Sequence, residues 1–254
     1  MNAKLVFLGT GTAVPVTNRG LPCIALRLNG DIYLFDVGEG CQEKLFKAGL
    51  GVVKVKAAFI THLHGDHFYG IFGLLHSMNM MRKTSPLSIV TPLGLEKMLD
   101  SVIAGWRNKL GFTINLTYID PWITAFNDGN IVVKPYPVLH NTPQSYGYIV
   151  ELKNGRKIVY TGDTLPCRST VEACSEADVL IHESTFLSNM SSEAHSQMHS
   201  TSGDAGYVAS LCNPRLLILT HISARYSDEY PLFIDAYRFF KNTLVARDYM
   251  TVAI

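Results

Sequence analysis

The stretch THLHGDHFYG, Thr61–Gly70, decides the fold of this chain, because it places three histidines and one aspartate within six residues. The apolar run Ala58-Phe59-Ile60 precedes it and predicts the end of a buried β-strand. Polar groups at the C-terminal end of a buried strand are where α/β folds place their chemistry. The stretch therefore predicts a layered α/β fold with a functional site at a sheet edge.

The spacing of the polar residues in this stretch suits metal binding. His62 and His64 are two residues apart, so their side chains point to the same side in an extended chain. Gly65 allows a sharp turn, after which Asp66 and His67 can be directed at a neighbouring point. Imidazole and carboxylate together suit zinc, with manganese and iron as alternatives. A polar loop explains one histidine, but this density favours two adjacent metal ions.

Three further apolar runs also end in a ligand-type residue, namely His140, Asp163 and His221. A carboxylate such as Asp163 can bridge two ions, and two ions about 3.5–4 Å apart can hold a hydroxide for in-line attack on phosphorus. Together the candidate metal ligands number seven: His62, His64, Asp66, His67, His140, Asp163 and His221.

Composition restricts the classes of protein to which the chain can belong. Its 254 residues, 47% of them hydrophobic, suffice for one large domain or two small ones. The formal net charge is +1, so any nucleic-acid partner needs a local basic patch. The five cysteines include no CxxC pair, which predicts buried or free thiols in a reducing compartment. No segment resembles a signal peptide or membrane span, so we expect a soluble, cytoplasmic protein without a membrane partner.

Short strands and helices are predicted to alternate along the chain. The first half predicts strands at Lys4–Leu8, Cys23–Leu28, Ile32–Asp36, Val53–Ile60 and Leu87–Val90, and helices at Glu39–Ala48, Phe68–Arg82 and Leu95–Ala104. The second half predicts strands at Ile131–Tyr136, Tyr146–Leu152, Lys157–Tyr160, Asp178–His182 and Leu216–Leu219, and helices at Ser169–Ser175, Ser202–Leu211 and Asp228–Lys241. Sheets covered by helices are the expected packing.

Several motifs give the chain a resemblance to the metallo-β-lactamase superfamily and, within it, to the ribonuclease Z family. They are FLGTGTAVP (7–15), FDVGEGCQ (35–42), THLHGDH (61–67), GLLHSMNMMRKTSPLSIVTPLG (73–94), SYGY (145–148), YTGDTLP (160–166), IHESTF (181–186), HST (199–201) and LTHISARY (219–226). The HxHxDH element is typical of the whole superfamily, whereas the last three motifs narrow the resemblance to ribonuclease Z and related phosphodiesterases. The resemblance implies an α/β fold, a four-layer αββα sandwich, in a single domain over 1–254.

The resemblance also implies a role for each candidate residue. The implied ligands are His62, His64 and His140 for one zinc ion and Asp66, His67 and His221 for the second, with Asp163 as the bridge. The implied catalytic residues are His199, which donates a proton to the leaving 3′ oxygen, Glu183, which orients it, and Asp66, which accepts a proton from water. An acid is required because an alkoxide leaves poorly. Arg225 would bind the substrate phosphate, and Asp36 would support a ligand histidine.

Simpler interpretations exist for some of these residues. A surface ion pair is the alternative for Glu183 and His199. His195 is a rival for the acid, although only His199 precedes Ser-Thr. Arg225 by itself is more typical of an ordinary surface charge. His182, at a strand end beside Glu183, is left unassigned.

The resemblance breaks between His140 and Asp163. Ribonuclease Z enzymes carry there a long glycine-rich and basic arm that contacts the tRNA elbow, whereas this interval is only 23 residues (163 − 140). The leading hypothesis is a two-zinc phosphodiesterase that removes 3′ trailers from tRNA precursors. The alternatives are an enzyme for small or cyclic phosphodiesters and a catalytically idle, metal-binding subunit associated with RNA. The family commonly forms homodimers, so we expect a homodimer.

Overall fold

The computed structural model describes residues 3–105 and 109–254. Contacts divide the chain into two compact units, of which unit 1 is Met1–Ile119 with Asp248–Ile254 and unit 2 is Asp120–Arg247. Each unit is built on one mixed sheet. Within the described ranges, no helix combines the length and the apolar character needed to traverse a lipid bilayer.

The sheet of unit 1 has seven strands in the described residues. They are β1 (Ala3–Gly9), β2 (Cys23–Leu28), β3 (Asp31–Phe35), β4 (Val55–Phe59), β5 (Leu87–Thr91), β6 (Ile114–Tyr118) and, at the chain end, β14 (Thr251–Ala253). Their order is β14-β1-β2-β3-β4-β5-β6. Pairing is antiparallel from β14 to β3 and parallel from β3 to β6. The carboxyl ends of β3 and β4 therefore lie side by side, and the stretch Thr61–Gly70 with its three histidines follows β4.

Four α-helices in the described residues of unit 1 complete its core. They are α1 (Cys41–Lys47), α2 (Gly65–Phe68), α3 (Gly70–Met80) and α4 (Leu95–Ile103). Strand residues such as Leu34 and Ala58 share a fully buried apolar cluster with Leu74 of α3. The predicted helix Phe68–Arg82 is corrected to α2 and α3, which are separated at Tyr69. The break arises because the Gly70 amide leaves the helical pattern and donates to Val37 O at 2.9 Å.

Gly70 is the point of closest approach between α3 and the loop that follows β3. A Cβ atom at this position would lie 2.0 Å from the backbone oxygen of Gly38, closer than any real contact. In the same region the Val37 amide donates to His67 O at 2.7 Å. Because only glycine permits this approach, Gly70 fixes the segment that carries His67 against the end of β3.

The sheet of unit 2 also has seven strands in the described residues. They are β7 (Phe126–Asn127), β8 (Ile131–Pro137), β9 (Tyr146–Leu152), β10 (Lys157–Tyr160), β11 (Val179–Glu183), β12 (Leu216–Thr220) and β13 (Thr243–Val245). Their order is β13-β12-β11-β10-β9-β8-β7. The strands from β10 to β13 are parallel, so β10, β11 and β12 deliver their C-terminal residues to one edge.

Four helices belong to unit 2. They are α5 (Arg168–Cys174), α6 (Ser191–Ser196), α7 (Ser202–Cys212) and α8 (Tyr230–Tyr237). A capping box between Thr201 and Asp204 begins α7, which explains why its start agrees with the sequence prediction. The predicted helix Asp228–Lys241 is shorter in the structure, because Asp228 forms a turn with the Tyr230 amide before the helix starts.

The cysteine prediction is wrong for two of the five residues. Cys174 of α5 and Cys212 of α7 form a disulfide, with their Cα atoms 5.6 Å apart. The two residues are 38 positions apart in sequence, so only the packing of α5 on α7 brings them together. Cys23, Cys41 and Cys167 are free thiols, as predicted.

The interval between His140 and Asp163, where the sequence predicts that the long arm is absent, contains a tight turn. Between His140 and Asp163 the chain forms β9 and β10, joined by the short connection 153–156. Gly155 adopts a φ of +83°, which suits glycine, and the Leu152 amide donates to Arg156 O at 2.8 Å. The prediction that this interval holds only strands and turns is confirmed.

The substitution Gly70→Ala tests the close approach of α3. We expect it to lower the free energy of unfolding by about 1–3 kcal/mol, because the new methyl group would overlap backbone oxygen atoms. Gly51→Ala is the matched control, since its Cβ would lie 3.6 Å from Lys54 Cγ, an ordinary contact. Urea denaturation measures both variants. Equal stabilities for the two variants would contradict the packing described for Gly70.

Candidate active site

In unit 1, Asp36 anchors the candidate ligand His67. Asp36 follows the last residue of β3, is fully buried, and has a left-handed φ of +55°. Its carboxylate accepts hydrogen bonds from the Thr61 amide at 2.8 Å and from His67 Nδ1 at 2.8 Å. The ring of His67 is thereby oriented with its other nitrogen, Nε2, 3.6 Å from Asp66 Oδ2.

His62 and His64 form a second pair in unit 1. His62 is fully buried, and its Nδ1 lies 3.0 Å from the hydroxyl of Thr61. Its Nε2 lies 2.9 Å from His64 Nδ1. Two nitrogen ligands at zinc distance in a tetrahedral site are about 3.3 Å apart. The pair therefore has nearly the separation that two ligands of one metal ion require.

In unit 2, Asp163 faces two histidines. It follows Gly162, whose φ of +61° turns the chain after β10. His140 Nε2 lies 3.8 Å from one carboxylate oxygen of Asp163, and His221 Nε2 lies 3.4 Å from the other. Different oxygen atoms face the two rings, which is the arrangement that a bridging carboxylate requires.

Each of these two rings is anchored through Nδ1. His140 Nδ1 donates to Met198 O at 2.9 Å, and His221 Nδ1 lies 2.8 Å from the hydroxyl of Thr185. Burial lowers the pKa of His140, an effect that the Asp163 carboxylate partly offsets. The neutral imidazole, which is the form that binds metal, is therefore favoured at His140.

His199 and Glu183 form a hydrogen-bonded pair in unit 2. His199 Nδ1 donates to Glu183 Oε1 at 2.8 Å, and the same oxygen accepts the Thr164 amide at 2.8 Å. Burial acts to raise the pKa of Glu183, but the charge and hydrogen bond of His199 outweigh it, so the pKa lies below its ordinary value. Since Glu183 is fully buried, the pair is not a surface ion pair.

The surroundings of His199 place it among the candidate ligands of unit 2. Ligand-type atoms of Asp163, His199 and His221 lie within 4.8 Å of one another. The ring of His199 lies 5.0 Å from that of His140, measured between centroids. His195, the rival acid, is exposed and bonds to Asp204 at 2.9 Å, so within unit 2 it does not join this group.

Arg225 is held beside this group by stacking. Its guanidinium carbon lies 4.5 Å from the ring centroid of Phe186, and that ring lies 6.4 Å from the ring of His199. One guanidinium nitrogen is 3.5 Å from Met190 Sδ and 3.8 Å from a Glu193 carboxylate oxygen. Arg225 therefore packs on a ring that also lies beside the candidate acid.

Sequence reasoning missed the uncharged residues that orient the charged ones. Thr61 and Thr185 contact two candidate histidines each, and Phe186 supports Arg225. A signal was present, since each of the three lies inside a quoted motif. Threonine and phenylalanine at a strand end are, however, equally typical of ordinary packing.

The donor set fits a divalent metal ion. Imidazole nitrogens and carboxylate oxygens are ligands of zinc, manganese and iron alike. Hydrogen bonds from Nδ1 of a ligand histidine to a buried acceptor are the usual support of such sites, and His67, His140 and His221 have them. The described histidines and aspartates therefore support the use of divalent metal.

Comparisons with known proteins identify the family. The model of the β-lactamase superfamily domain matches residues 33–222. Ribonuclease Z of Methanosarcina mazei is 32% identical to this chain, over 99% of this chain and 98% of its own length. Ribonuclease Z of Methanocaldococcus jannaschii is 35% identical, over 89% and 87% of the two chains. The chain belongs to the ribonuclease Z family.

Structural comparison agrees with this assignment. The crystal structure of human tRNase Z, short form, superposes with a TM-score of 0.85 at 32% identity, covering 99% of each chain. YhfI from Bacillus subtilis superposes with a TM-score of 0.84 at 20% identity, a level that shows the fold alone. The predicted fold class, the metallo-β-lactamase fold, is confirmed, and this ribonuclease Z family member is a metal-dependent hydrolase of that superfamily.

The comparisons also concern the length of the chain, which the sequence predicts to lack an arm between His140 and Asp163. The alignment with the Methanosarcina mazei protein spans 301 positions, whereas this ribonuclease Z family member has 254 residues. The archaeal protein therefore contains residues that have no counterpart here. The short interval of 23 residues between His140 and Asp163 (163 − 140) is consistent with a shorter chain.

The substitution Asp36→Asn tests the support of His67. We expect zinc affinity to fall by about 10–100-fold, because an amide cannot accept from both His67 Nδ1 and Thr61 as a carboxylate does. Competition with a chromophoric chelator measures the affinity. Asp248→Asn is the control, since Asp248 accepts from Thr10 and Gly20 in the same unit and contacts no histidine in those bonds. Unchanged affinity in a folded Asp36→Asn protein would remove Asp36 from the metal site.

Proposed function

We propose that this chain is a two-metal phosphodiesterase that removes 3′ trailers from tRNA precursors. The observation that carries the proposal is the buried His199–Glu183 pair beside Asp163 and His221, in a member of the ribonuclease Z family. Ribonuclease Z and human tRNase Z are the names of its relatives, which favours a tRNA precursor as substrate.

The proposed metal site follows the ligand set that the resemblance implies. One zinc ion would be held by His62, His64 and His140 and the second by Asp66, His67 and His221, with Asp163 as the shared ligand. The spacing of donor atoms within each unit and the anchoring of the rings at Nδ1 support the assignment. When bound, the two ions supply Lewis-acid activation of the attacking water and of the phosphoryl oxygen, and manganese or iron are alternatives to zinc.

His199 is the proposed acid for the leaving 3′ oxygen. Its Nδ1 is held by Glu183, so Nε2 is the atom that can deliver a proton. Glu183 stays ionised and stabilises the charged imidazolium, while two further hydrogen bonds, from the Thr164 amide and the Thr185 hydroxyl, fix its carboxylate. Asp66 is the proposed acceptor of the proton from the attacking water.

Arg225 is the proposed contact to the substrate phosphate. Stacking on Phe186 fixes the plane of the guanidinium, and a planar fork can bind two phosphate oxygens at once. The side chain is 39% exposed, so it is accessible to a substrate from solvent.

A second candidate function is the hydrolysis of small or cyclic phosphodiesters. The tight turn at 153–156 favours it, because the interval between His140 and Asp163 offers little chain to hold a large RNA. An idle subunit is disfavoured because the acid pair is intact in the structure. A homodimer and a cytoplasmic location stay predictions, and a monomer in light scattering would count against the first.

The substitution His199→Ala tests the acid. We expect cleavage of precursor tRNA to fall by about 100–10,000-fold while the metal content is unchanged, because proton donation is lost and no proposed ligand is removed. His195→Ala is the matched control, since His195 is exposed and lies on the neighbouring helix α6. This variant should cleave precursor tRNA at the wild-type rate. Cleavage is followed on labelled transcripts, and metal content by elemental analysis. Full activity of His199→Ala would exclude this role.

A direct comparison of substrates separates the two candidate functions. We expect a higher kcat/KM for a precursor tRNA with a 3′ trailer than for a chromogenic phosphodiester such as bis(p-nitrophenyl) phosphate, both measured with the same protein sample. Rapid turnover of the small diester with no cleavage of precursor tRNA would support the second function and reject the first.

A further inference from the structure

The hydroxyl of Thr185 lies at the centre of a hydrogen-bond network in unit 2. It donates to Glu183 Oε2 at 2.7 Å and lies 2.8 Å from His221 Nδ1. It is also 3.4 Å from His199 Nδ1. Thr185 is buried, with 7% of its surface exposed, so water does not readily replace these bonds. One hydroxyl therefore contacts the orienting carboxylate, a proposed metal ligand and the proposed acid.

The single proton of this hydroxyl determines the direction of the network. The acceptors in range are Glu183 Oε2 at 2.7 Å, an unprotonated His221 Nδ1 at 2.8 Å and the His221 carbonyl oxygen at 3.3 Å. The carboxylate is the closest of the three and carries the negative charge, so it takes the proton. The hydroxyl oxygen must then accept from His221 Nδ1, which places the proton of that ring on Nδ1.

The consequence for His221 concerns its other nitrogen. With the proton on Nδ1, Nε2 carries a lone pair, and this atom lies 3.4 Å from Asp163 Oδ1. A lone pair on Nε2 is what a metal ligand requires. The other oxygen of Glu183, Oε1, accepts from His199 Nδ1. The two oxygens of one carboxylate thus serve the acid directly and the ligand through Thr185.

Unit 1 contains the same arrangement with different residues. The hydroxyl of Thr61 lies 3.0 Å from both carboxylate oxygens of Asp36 and 3.0 Å from His62 Nδ1. The same carboxylate accepts from His67 Nδ1. A carboxylate, a threonine hydroxyl and two histidines therefore recur at the strand ends of each unit, which indicates a common task rather than incidental packing.

We infer that Thr185 is a positioning residue that fixes the Nδ1-protonated tautomer of His221 and holds Glu183 in the orientation that His199 needs. The inference rests on the proposed function, in which His221 is a metal ligand and His199 the acid. Thr185 touches neither substrate nor the reacting atoms in this scheme. It acts through the two histidines and makes metal binding and proton donation depend on one hydroxyl.

Three variants separate the hydroxyl from the rest of the side chain. Thr185→Val keeps the shape and removes the hydroxyl, whereas Thr185→Ser keeps the hydroxyl and removes a methyl group. Thr243→Val is the matched control, because Thr243 is also buried in unit 2 and its hydroxyl donates only to Phe240 O, at 2.7 Å. Circular dichroism checks folding, and Thr185→Ala replaces the valine variant if that variant does not fold.

The first readout is made on metal-free protein. Long-range ¹H–¹⁵N correlation spectra of the histidine rings should show His221 protonated on Nδ1 in the wild type and in Thr185→Ser. In Thr185→Val we expect a mixture of tautomers. A His221 signal that is identical in Thr185→Val and in the wild type would overturn the inference.

The second readout is binding of Zn²⁺, measured against a chelator, together with kcat on precursor tRNA at saturating Zn²⁺. We expect Thr185→Val to lose about 10–100-fold in Zn²⁺ affinity and at least tenfold in kcat, with KM within about twofold, and Thr185→Ser to recover most of both. Affinity that is unchanged in the valine variant, or not recovered by serine, would refute the role of the hydroxyl. If the tautomer and the affinity change but wild-type protein cleaves no precursor tRNA, only the proposed function fails.

Discussion

Hydrogen bonds to Nδ1 of the buried histidines are the interaction on which the site depends. His67 is held by Asp36, His140 by Met198 O, and His221 by Thr185. A ring held at Nδ1 can present only Nε2, so the protein itself sets the orientation of these three candidate ligands. A hydrogen bond to a charged acceptor contributes about 1.5–3 kcal/mol, and a buried carboxylate without such partners would be strongly unfavourable. At His67 the requirement is mutual, because the buried Asp36 carboxylate needs the donor as much as the ring needs the acceptor.

The backbone at the strand ends is arranged to make these bonds. Asp36 and His221 have φ values of +55° and +56°, a left-handed conformation that costs a non-glycine residue about 1–3 kcal/mol. Each follows an apolar strand that is paired on both sides: β3 lies between β2 and β4, and β12 lies between β11 and β13. Rigid central strands can sustain such strain where a mobile loop would relax it. The cost is offset by the hydrogen bonds that the turned residues form.

The sequence predicted the central strands well, because they depend on long apolar runs that end abruptly. The seven candidate metal ligands at or near the ends of those runs stay a prediction. Strands Cys23–Leu28, Tyr146–Leu152 and Lys157–Tyr160 have the predicted bounds, and an Asn-Gly turn sets the register of each hairpin. The strands that the prediction omitted include β6 and β14, the two edge strands of their sheet, which are largely exposed. The alternating pattern of β6, Ile-Asn-Leu-Thr-Tyr, was a signal that the prediction missed, whereas β14 has only three residues, too few for a pattern. The Cys174–Cys212 disulfide and the threonine contacts were equally unpredictable, since packing of distant segments creates them.

The candidate acid pair and the short connection between β9 and β10 lie in separate parts of unit 2. Glu183 is the last residue of β11, and His199 lies in the segment before α7, so these two segments position the acid pair. The turn at 153–156 lies at the far end of the β9–β10 hairpin from the carboxyl end of β10. Shortening that turn therefore leaves Asp163 in place. The formal net charge of +1 provides no global attraction for RNA, so under the proposed function discrimination among phosphodiesters would depend on groups at the scissile phosphate, such as Arg225 on Phe186.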